Sequence, residues 1–341
     1  MSELKVNSIK GTGASTAAIT IDSSVGTCTA NITNNLSNRN LLINGGHIVW
    51  QRATSISGGS TLDNFAYATD RFWLYSPSSS SGTVGQSTDV PSGFIYSTHN
   101  NLDAACTIGT NVELLKAGSD APFVNGESLT LSFYIKSTSA RSNVGISIST
   151  RDNAGGTGSV DRASGVTFDS TTSWTRVEKT FTLSGTVGGS NACLQFEISL
   201  AIGDKVTGFQ LEKNSFATDF EHLSFADELR KCQRYFTRIP NQDASSGYYI
   251  LAQAAAHDTN SCLCTLHFPT FMRTNPSMST PGSLRLYNGG GITISSLVLN
   301  TSSVAGATLQ ISSSSGIDRY EALCLSQNND PDASVDFSSE L

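Results

Sequence analysis

The stretch 208–236, GFQLEKNSFATDFEHLSFADELRKCQRYF, constrains what this chain can fold into more than any other segment. It opens with the period-two alternation of a strand that buries one face. A loop carrying Phe216 and Phe220 follows and is expected to pack back on the fold with Phe225. It ends in a short amphipathic segment, with Asp227 and Glu228 near its start and Arg230, Lys231 and Arg234 near its end. That charge order suits a helix dipole. The segment therefore splices a β-sandwich onto a linking helix, expected over 225–238.

At 341 residues the chain is long enough for two or three modules, each with its own core. Only 14% of residues are charged, while Ser and Thr supply about a quarter and 30 are Gly. This balance suits β architectures whose solvent-facing strand positions carry hydroxyls, and the recurring apolar alternation argues against disorder. A net charge of −7, with no basic run, argues against nucleic acid or an anionic membrane as partner. No apolar run approaches the length of a membrane span. The opening MSELKVNSIKG lacks the apolar core of a signal peptide, so a protein acting outside the cell would be released by lysis.

Seven cysteines (Cys28, Cys106, Cys193, Cys232, Cys262, Cys264 and Cys324) are scattered without framework spacing. The odd count reads as free, buried thiols of a chain made in a reducing cytoplasm. Cys262 and Cys264 share a strand face, and His257 and His267 lack ligand spacing, so core thiols are expected there and not zinc.

Four regions follow from the pattern. Residues 1–39 contain no aromatic side chain and cannot build a core alone, so they read as an arm that attaches the chain to a partner. Residues 40–224 hold strand-like runs at 129–135, 144–148, 174–183, 194–200 and 206–211, as in an antiparallel two-sheet sandwich. The helix at 225–238 leads into a strand-rich module at 239–341, with runs at 248–251, 263–268, 283–287, 292–299 and 322–325. So few strands are expected to leave one face bare, which favours burial against identical copies in a homotrimer. The fold class is mainly β: an N-terminal arm, a jelly-roll β-sandwich, a short linking helix and a C-terminal β-sandwich-like module.

Gln210, Leu211, Glu212, Phe220, Glu221, Leu229, Cys232, Gln233, Arg234, Tyr235 and Phe236 fall at the spacing of a junction pattern. The segment they form resembles the module junction of bacteriophage tail fibres and other tail-associated proteins. His222 departs from that pattern, where Arg is usual. NLLINGGHIVWQR and YATDRFWLY look like the first strands of the same phage module, and the openings SELKVNSIKGT and AITIDSS look like marine and cyanobacterial phage leaders. LHFPTFMRTNPSMS and the final VDFSSEL resemble segments of fibre tips. The order of LTLSFYIKS, SWTRVEKTFTL and VTGFQLEK resembles the jelly rolls of carbohydrate-binding modules.

That resemblance implies sugar binding by aromatic rings stacked on pyranose faces, with polar groups holding the hydroxyls. The candidate glycan contacts are Tyr75, Trp73, Trp174, Arg71 and Tyr96, with Trp50 also considered. Trp50 and Trp73 read first as core residues, and Asp70 or Arg71 as a buried structural partner. No cofactor is expected. A structural calcium ion at Asp152, Asn153 and Asp161 is an option, and a solvated hairpin is the plainer reading. Glu113, Glu127, Glu178, Glu197 and Asp204 carry no motif that pairs two carboxylates, and no nucleophile elbow or phosphate loop occurs, so no enzyme is expected.

The expected role is a virion tail-fibre or tail-tip component, made in the host cytoplasm. It binds host glycans as a homotrimer and other tail proteins through residues 1–39. A purely structural adaptor, nozzle-associated or capsid-decorating role stays open, as does a carbohydrate-binding module of a bacterial enzyme.

Overall fold

Alternation builds the sandwich. In the strand Ser128–Lys136, Leu129, Leu131, Phe133 and Ile135 are buried while Tyr134 and Lys136 stand half-buried on the opposite face. The computed structural model describes residues 8–9, 19–21, 28–30, 39–114, 123–151, 159–185, 193–240 and 247–340. Within it this strand lies second in a six-stranded antiparallel sheet ordered Thr175–Thr182, Ser128–Lys136, Lys205–Glu212, Ser97–Leu102, Gly82–Ser87 and Ser55–Ser57. The facing sheet runs Ser159–Asp161, Arg141–Arg151, Cys193–Leu200, Cys106–Glu113, Phe72–Tyr75 and Ala66–Tyr67, with Thr167–Ser170 also paired to Arg141–Arg151. Between them a chain of rings fills the core. Phe133 stacks on Phe209 at 5.1 Å, meets Phe168 edge-on at 5.2 Å, and Phe209 continues to Phe72 at 5.1 Å. The protein is mainly β with a jelly-roll sandwich, as its sequence pattern indicates.

The Asn44-Gly45-Gly46 turn is a buried hub. Asn44 sits at φ 59°, and its amide donates to the Val49 and Asp70 carbonyls while its Oδ1 accepts from the Ile48 and Val49 amides. Gly45 allows the backbone to pass against Phe209, since a Cβ there would lie 1.9 Å from the Phe209 carbonyl oxygen. His47 is fully buried against Phe72 and Phe209, with Nδ1 2.9 Å from the Thr98 hydroxyl. Burial lowers its pKa from 6.5 to about 3. Between those values the unfolded chain binds more protons than the folded one. His47 therefore contributes its full share of stability above pH 6.5 and loses it progressively as pH falls toward 3. Its imidazole NMR resonances are expected to stay those of the neutral ring as pH drops well below 6.5; a midpoint near 6.5 would contradict this burial.

The first and last parts of the sandwich are tied together. Asn40 accepts from Leu211 N through Oδ1, donates to the Phe209 carbonyl, and donates its own N–H to Glu221. Gln210 and Glu212 hold the following loop to the six-stranded sheet, Gln210 accepting from Glu221 N at 2.7 Å and Glu212 from Thr218 N at 3.0 Å. Phe220 packs on Phe94 at 4.9 Å as the sequence suggests, whereas Phe216 and Phe225 remain exposed.

The helix spans Phe225–Gln233, shorter than the expected 225–238. Ser224 caps it by accepting from Asp227 N, and Asp227 and Glu228 occupy its first turn. It stops where Tyr235 and Phe236 turn toward the sandwich and the strand Phe236–Ile239 begins. A nine-residue helix is not stable alone. Here Glu228 accepts from Asn44 N at 2.8 Å and Cys232 is fully buried.

The rest of the CQRYF run locks the two units together. Arg234 and the Tyr235 hydroxyl both bind Glu113, at 3.0 and 2.9 Å. The Arg71 guanidinium lies 3.5 Å over the Tyr235 ring, and that of Arg52 lies 3.7 Å over Phe236. Asp70 accepts from Gln51 N at 2.7 Å and from Arg52 at 3.4 Å. Burial pushes the Asp70 carboxyl up to about 6, with Arg52 pulling the other way. Glu340 bridges Arg52 and Arg71.

The C-terminal unit has its own core, including Leu286, Leu309, Ile311, Leu325 and Phe337. A seven-stranded sheet runs Gly291–Thr293, Leu284–Tyr287, Ala322–Gln327, Ile250–Ala256, Ser261–His267, Gly306–Ser312 and Ser296–Ser303. Phe236–Ile239, Val335–Ser338 and Ser277–Ser279 form a second, three-stranded sheet. Cys262 and Cys264 face inward, as their spacing indicates, while Leu263 between them is exposed. The run at 292–299 is two strands and not one, and the strand expected at 248–251 begins at Ile250. Of residues 1–39, Ser8–Ile9, Ile19–Ile21 and Cys28–Ala30 pair in a small antiparallel sheet. Most of the expected arm lies outside the described residues.

Candidate functional site: an aromatic platform beside a polar row

Phe65 and Tyr75 form an exposed pair of stacked rings at one edge of the second sheet of the sandwich. Their centroids are 5.2 Å apart with planes 28° from parallel, and they are 49% and 36% exposed. Phe65 follows a short 3-10 turn, Leu62–Asn64, and sits at φ 57°. That left-handed backbone is strained for a non-glycine residue and turns the ring out over the sheet. Beneath it lies Trp73, 4% exposed, meeting Phe65 edge-on at 5.2 Å.

Trp73 lies against the sheet because its cross-strand partner is Gly109. A Cβ at Gly109 would stand 2.0 Å from the Trp73 Cζ2. The next residue in that row is Glu197, two strand spacings or about 10 Å from Trp73. Glu197 accepts from Arg151 at 3.4 Å and from the Gln195 amide. Burial holds its carboxyl above the usual range, while Arg151 pulls it down. One row further on, Asn111 stands opposite Gln195. Asn111 Oδ1, Gln195 Oε1 and Arg151 Nε are buried atoms without a hydrogen-bond partner. The exposed ring pair and these unpaired amide and guanidinium groups therefore share one face of the sheet, the amides four residues along the strands from the Tyr75 row, and together they offer the apolar and hydrogen-bonding surfaces that a sugar presents.

Of the sequence candidates, Tyr75 and Trp73 belong to this platform, with Tyr75 open to solvent and Trp73 as its floor. Arg71 lies at the same end of the sheet, 2% exposed and engaged by Glu340, the Asn111 carbonyl and the Tyr235 ring. It acts as the buried structural partner that was the alternative reading of this position. Trp174 is elsewhere. It is half-buried and donates Nε1 to Asp89 at 3.1 Å, beside Lys136 and Lys205. The Lys136 hydrogen bond, chief among these contacts, holds the Asp89 carboxyl below the usual carboxylate range. Tyr96 lines a separate cleft with Trp50.

Phe65 and Gln195 were not singled out in the sequence, and Glu197 was weighed only as a carboxylate without a catalytic partner. Their signal is there, since Phe65/Tyr67 and Trp73/Tyr75 repeat at a spacing of two, as do Gln195 and Glu197. Asp152 and Asn153 lie outside the described residues, and Asp161 is exposed. Among the described residues no group of three or more His, Cys, Asp or Glu side chains could hold a metal ion. Asp336, one of the acids near the end of the sequence, is paired with Arg238 at 2.7 Å.

Residues 64–201 match a family model described as a carbohydrate binding domain, a span that contains both the platform and the polar row. No curated protein matches the sequence. The chain is similar to a solved structure described as "CBM4 structure and function", at 12% identity and TM-score 0.31, over 51% of this chain and 99% of that one. It is similar to a carbohydrate-binding module from Cellvibrio mixtus lichenase 5A, solved with cellotriose, at 16% identity and TM-score 0.25, over 47% and 96%. It is also similar to the N-terminal CBM22-1-CBM22-2 tandem domain of Paenibacillus barcinonensis Xyn10C, at 9% identity and TM-score 0.30, over 91% and 100%.

Proposed function

We propose that the chain is a non-catalytic glycan-binding protein of a bacteriophage tail fibre or tail tip, recognising a host-surface saccharide on the Phe65–Tyr75 platform. The observation that carries the glycan reading is the exposed, near-parallel ring pair on the same sheet face as partnerless amides, inside the span that matches a carbohydrate binding domain. The fibre reading is supported by the junction run 232–236, whose resemblance to tail-protein junctions now has a physical content. Cys232 is buried, and Arg234, Tyr235 and Phe236 engage Glu113, Arg71 and Arg52.

A homotrimer is part of the proposal. Leu263, Gln310 and Val298 stand in one row on the outer face of the C-terminal sheet, where Leu263 and Val298 are exposed. The eight-residue strand Ser296–Ser303 lies at that sheet's edge. Such an edge is commonly shielded by assembly. Several weak sites on one assembly would raise avidity by orders of magnitude.

The experiment is a glycan array probed with the intact chain and with Tyr75→Ala. Intact chain is expected to retain specific saccharides, and Tyr75→Ala to lose most of that signal with an unchanged melting curve. Equal binding by both proteins, or none by either, would remove the platform. Sedimentation at micromolar concentration checks the assembly, where a stable single chain contradicts the trimer.

A further inference from the structure

A cleft of 1030 Å³ opens between the sandwich and the C-terminal unit, and it shares no residue with the aromatic platform. Trp50, Phe94 and Tyr96 line it from the sandwich, Phe220 and Phe225 from the loop and helix, and Pro331 from the C-terminal unit. It exists only because the junction brings these elements together. Its size is just above the range of ordinary small-molecule sites, about 300 to 1,000 Å³.

Gln51, also on its wall, is 9% exposed and its Oε1 has no partner. The amide cannot usefully turn over. Its Nε2 already donates to Asp70 Oδ1 and to the Phe236 carbonyl, both at 3.0 Å. A flip would set an oxygen against two acceptors. The carbonyl oxygen is therefore an unsatisfied buried acceptor on a residue of the cleft wall.

Three of the charged side chains on the wall are already matched. Arg52 is held by Glu340 at 2.9 Å and Arg238 by Asp336 at 2.7 Å, while Glu228 accepts from Asn44 N at 2.8 Å. Asp332 stands exposed. Nothing here selects an ion, and the ring faces together with a lone acceptor favour a neutral molecule with apolar faces and hydroxyl donors. We infer that this inter-unit cleft is a second ligand site, taking a neutral pyranosyl oligosaccharide of a few units. Its ligand class rests on the glycan reading above, while its position does not.

The chain has three tryptophans, which report separately: Trp50 on the cleft wall, Trp73 under the platform and Trp174 beside Asp89. The test is 19F NMR of the full chain labelled with 5-fluorotryptophan, each resonance assigned by a Trp→Phe variant. Cellotriose, maltotriose and mannotriose are titrated to millimolar levels, with sialyllactose as the anionic comparison. At least one neutral probe is expected to move the Trp50 resonance saturably. In the Ile95→Ala/Phe225→Ala variant, which alters two exposed cleft residues and leaves the core intact, that response is expected to weaken about tenfold. A Trp50 resonance silent to every neutral probe, moved only by sialyllactose, or moved equally in the variant overturns the inference. Movement of Trp73 without Trp50 sinks the cleft and leaves the platform standing, and the reverse result sinks the platform alone.

Discussion

Replacing Glu340 by alanine is expected to lower the unfolding free energy by about 3–5 kcal/mol, the range found when one member of a buried ion pair is removed. Arg71 is 2% exposed, and its guanidinium is bounded by the Tyr235 ring, the Asn111 carbonyl and Glu340. Without the carboxylate a cation remains in a site closed to water, and Nε already lacks a partner. Arg52 loses its 2.9 Å contact as well, although Asp70 still holds it. Urea unfolding followed by tryptophan fluorescence measures the loss. The double variant Arg71→Met/Glu340→Met is expected to recover much of it, because charge and counter-charge leave together. An E340A chain as stable as the parent would mean that the lock between the units is not formed in solution.

The second large effect is expected at Gly109, and it falls on binding. Gly109→Ala places a methyl 2.0 Å from the Trp73 Cζ2, so the indole must leave the sheet surface. Phe65 rests edge-on against that indole and stacks on Tyr75, so the exposed pair loses its floor. Saccharide affinity is expected to fall about tenfold or more, a loss of at least roughly 1.4 kcal/mol. The overpacking itself is expected to cost about 1–3 kcal/mol of stability. Gly145→Ala is the matched control, since a Cβ at that strand position meets nothing within 4 Å. Isothermal titration of both variants with the saccharide selected on the array separates a displaced platform from general destabilisation.

Much of the fold is legible in the sequence where strands bury large apolar residues on one face. The runs 129–135 and 194–200 are such strands, and each lies in the structure within the expected sheet element. The strands Gly82–Ser87 and Ser97–Leu102 are not legible, because the first has Val84 as its sole large apolar residue and the second buries Thr98 and Asn100. Their inward polar groups are satisfied by distant partners, Thr98 by His47 and Asn100 by the carbonyls of Leu200 and Ala201. Spacing within one segment cannot reveal such pairings.

The same reasoning explains the site. Tyr75 and Trp73 are visible as aromatic residues at a spacing of two. The burial of Arg71 depends on Glu340, which lies 269 residues away in sequence. The role of Phe65 depends on a left-handed backbone angle that composition does not announce. His222, which departs from the junction pattern, is exposed and lays its ring against Phe94 and Phe220 at 5.1 and 4.8 Å on the cleft wall.

A crystal structure of the chain with the best-bound array saccharide tests the glycan account most directly. The account predicts a pyranose ring lying parallel to the Phe65–Tyr75 faces, with hydroxyls directed toward Gln195 and Glu197. A saccharide bound only elsewhere, with Phe65 and Tyr75 bare, would contradict it.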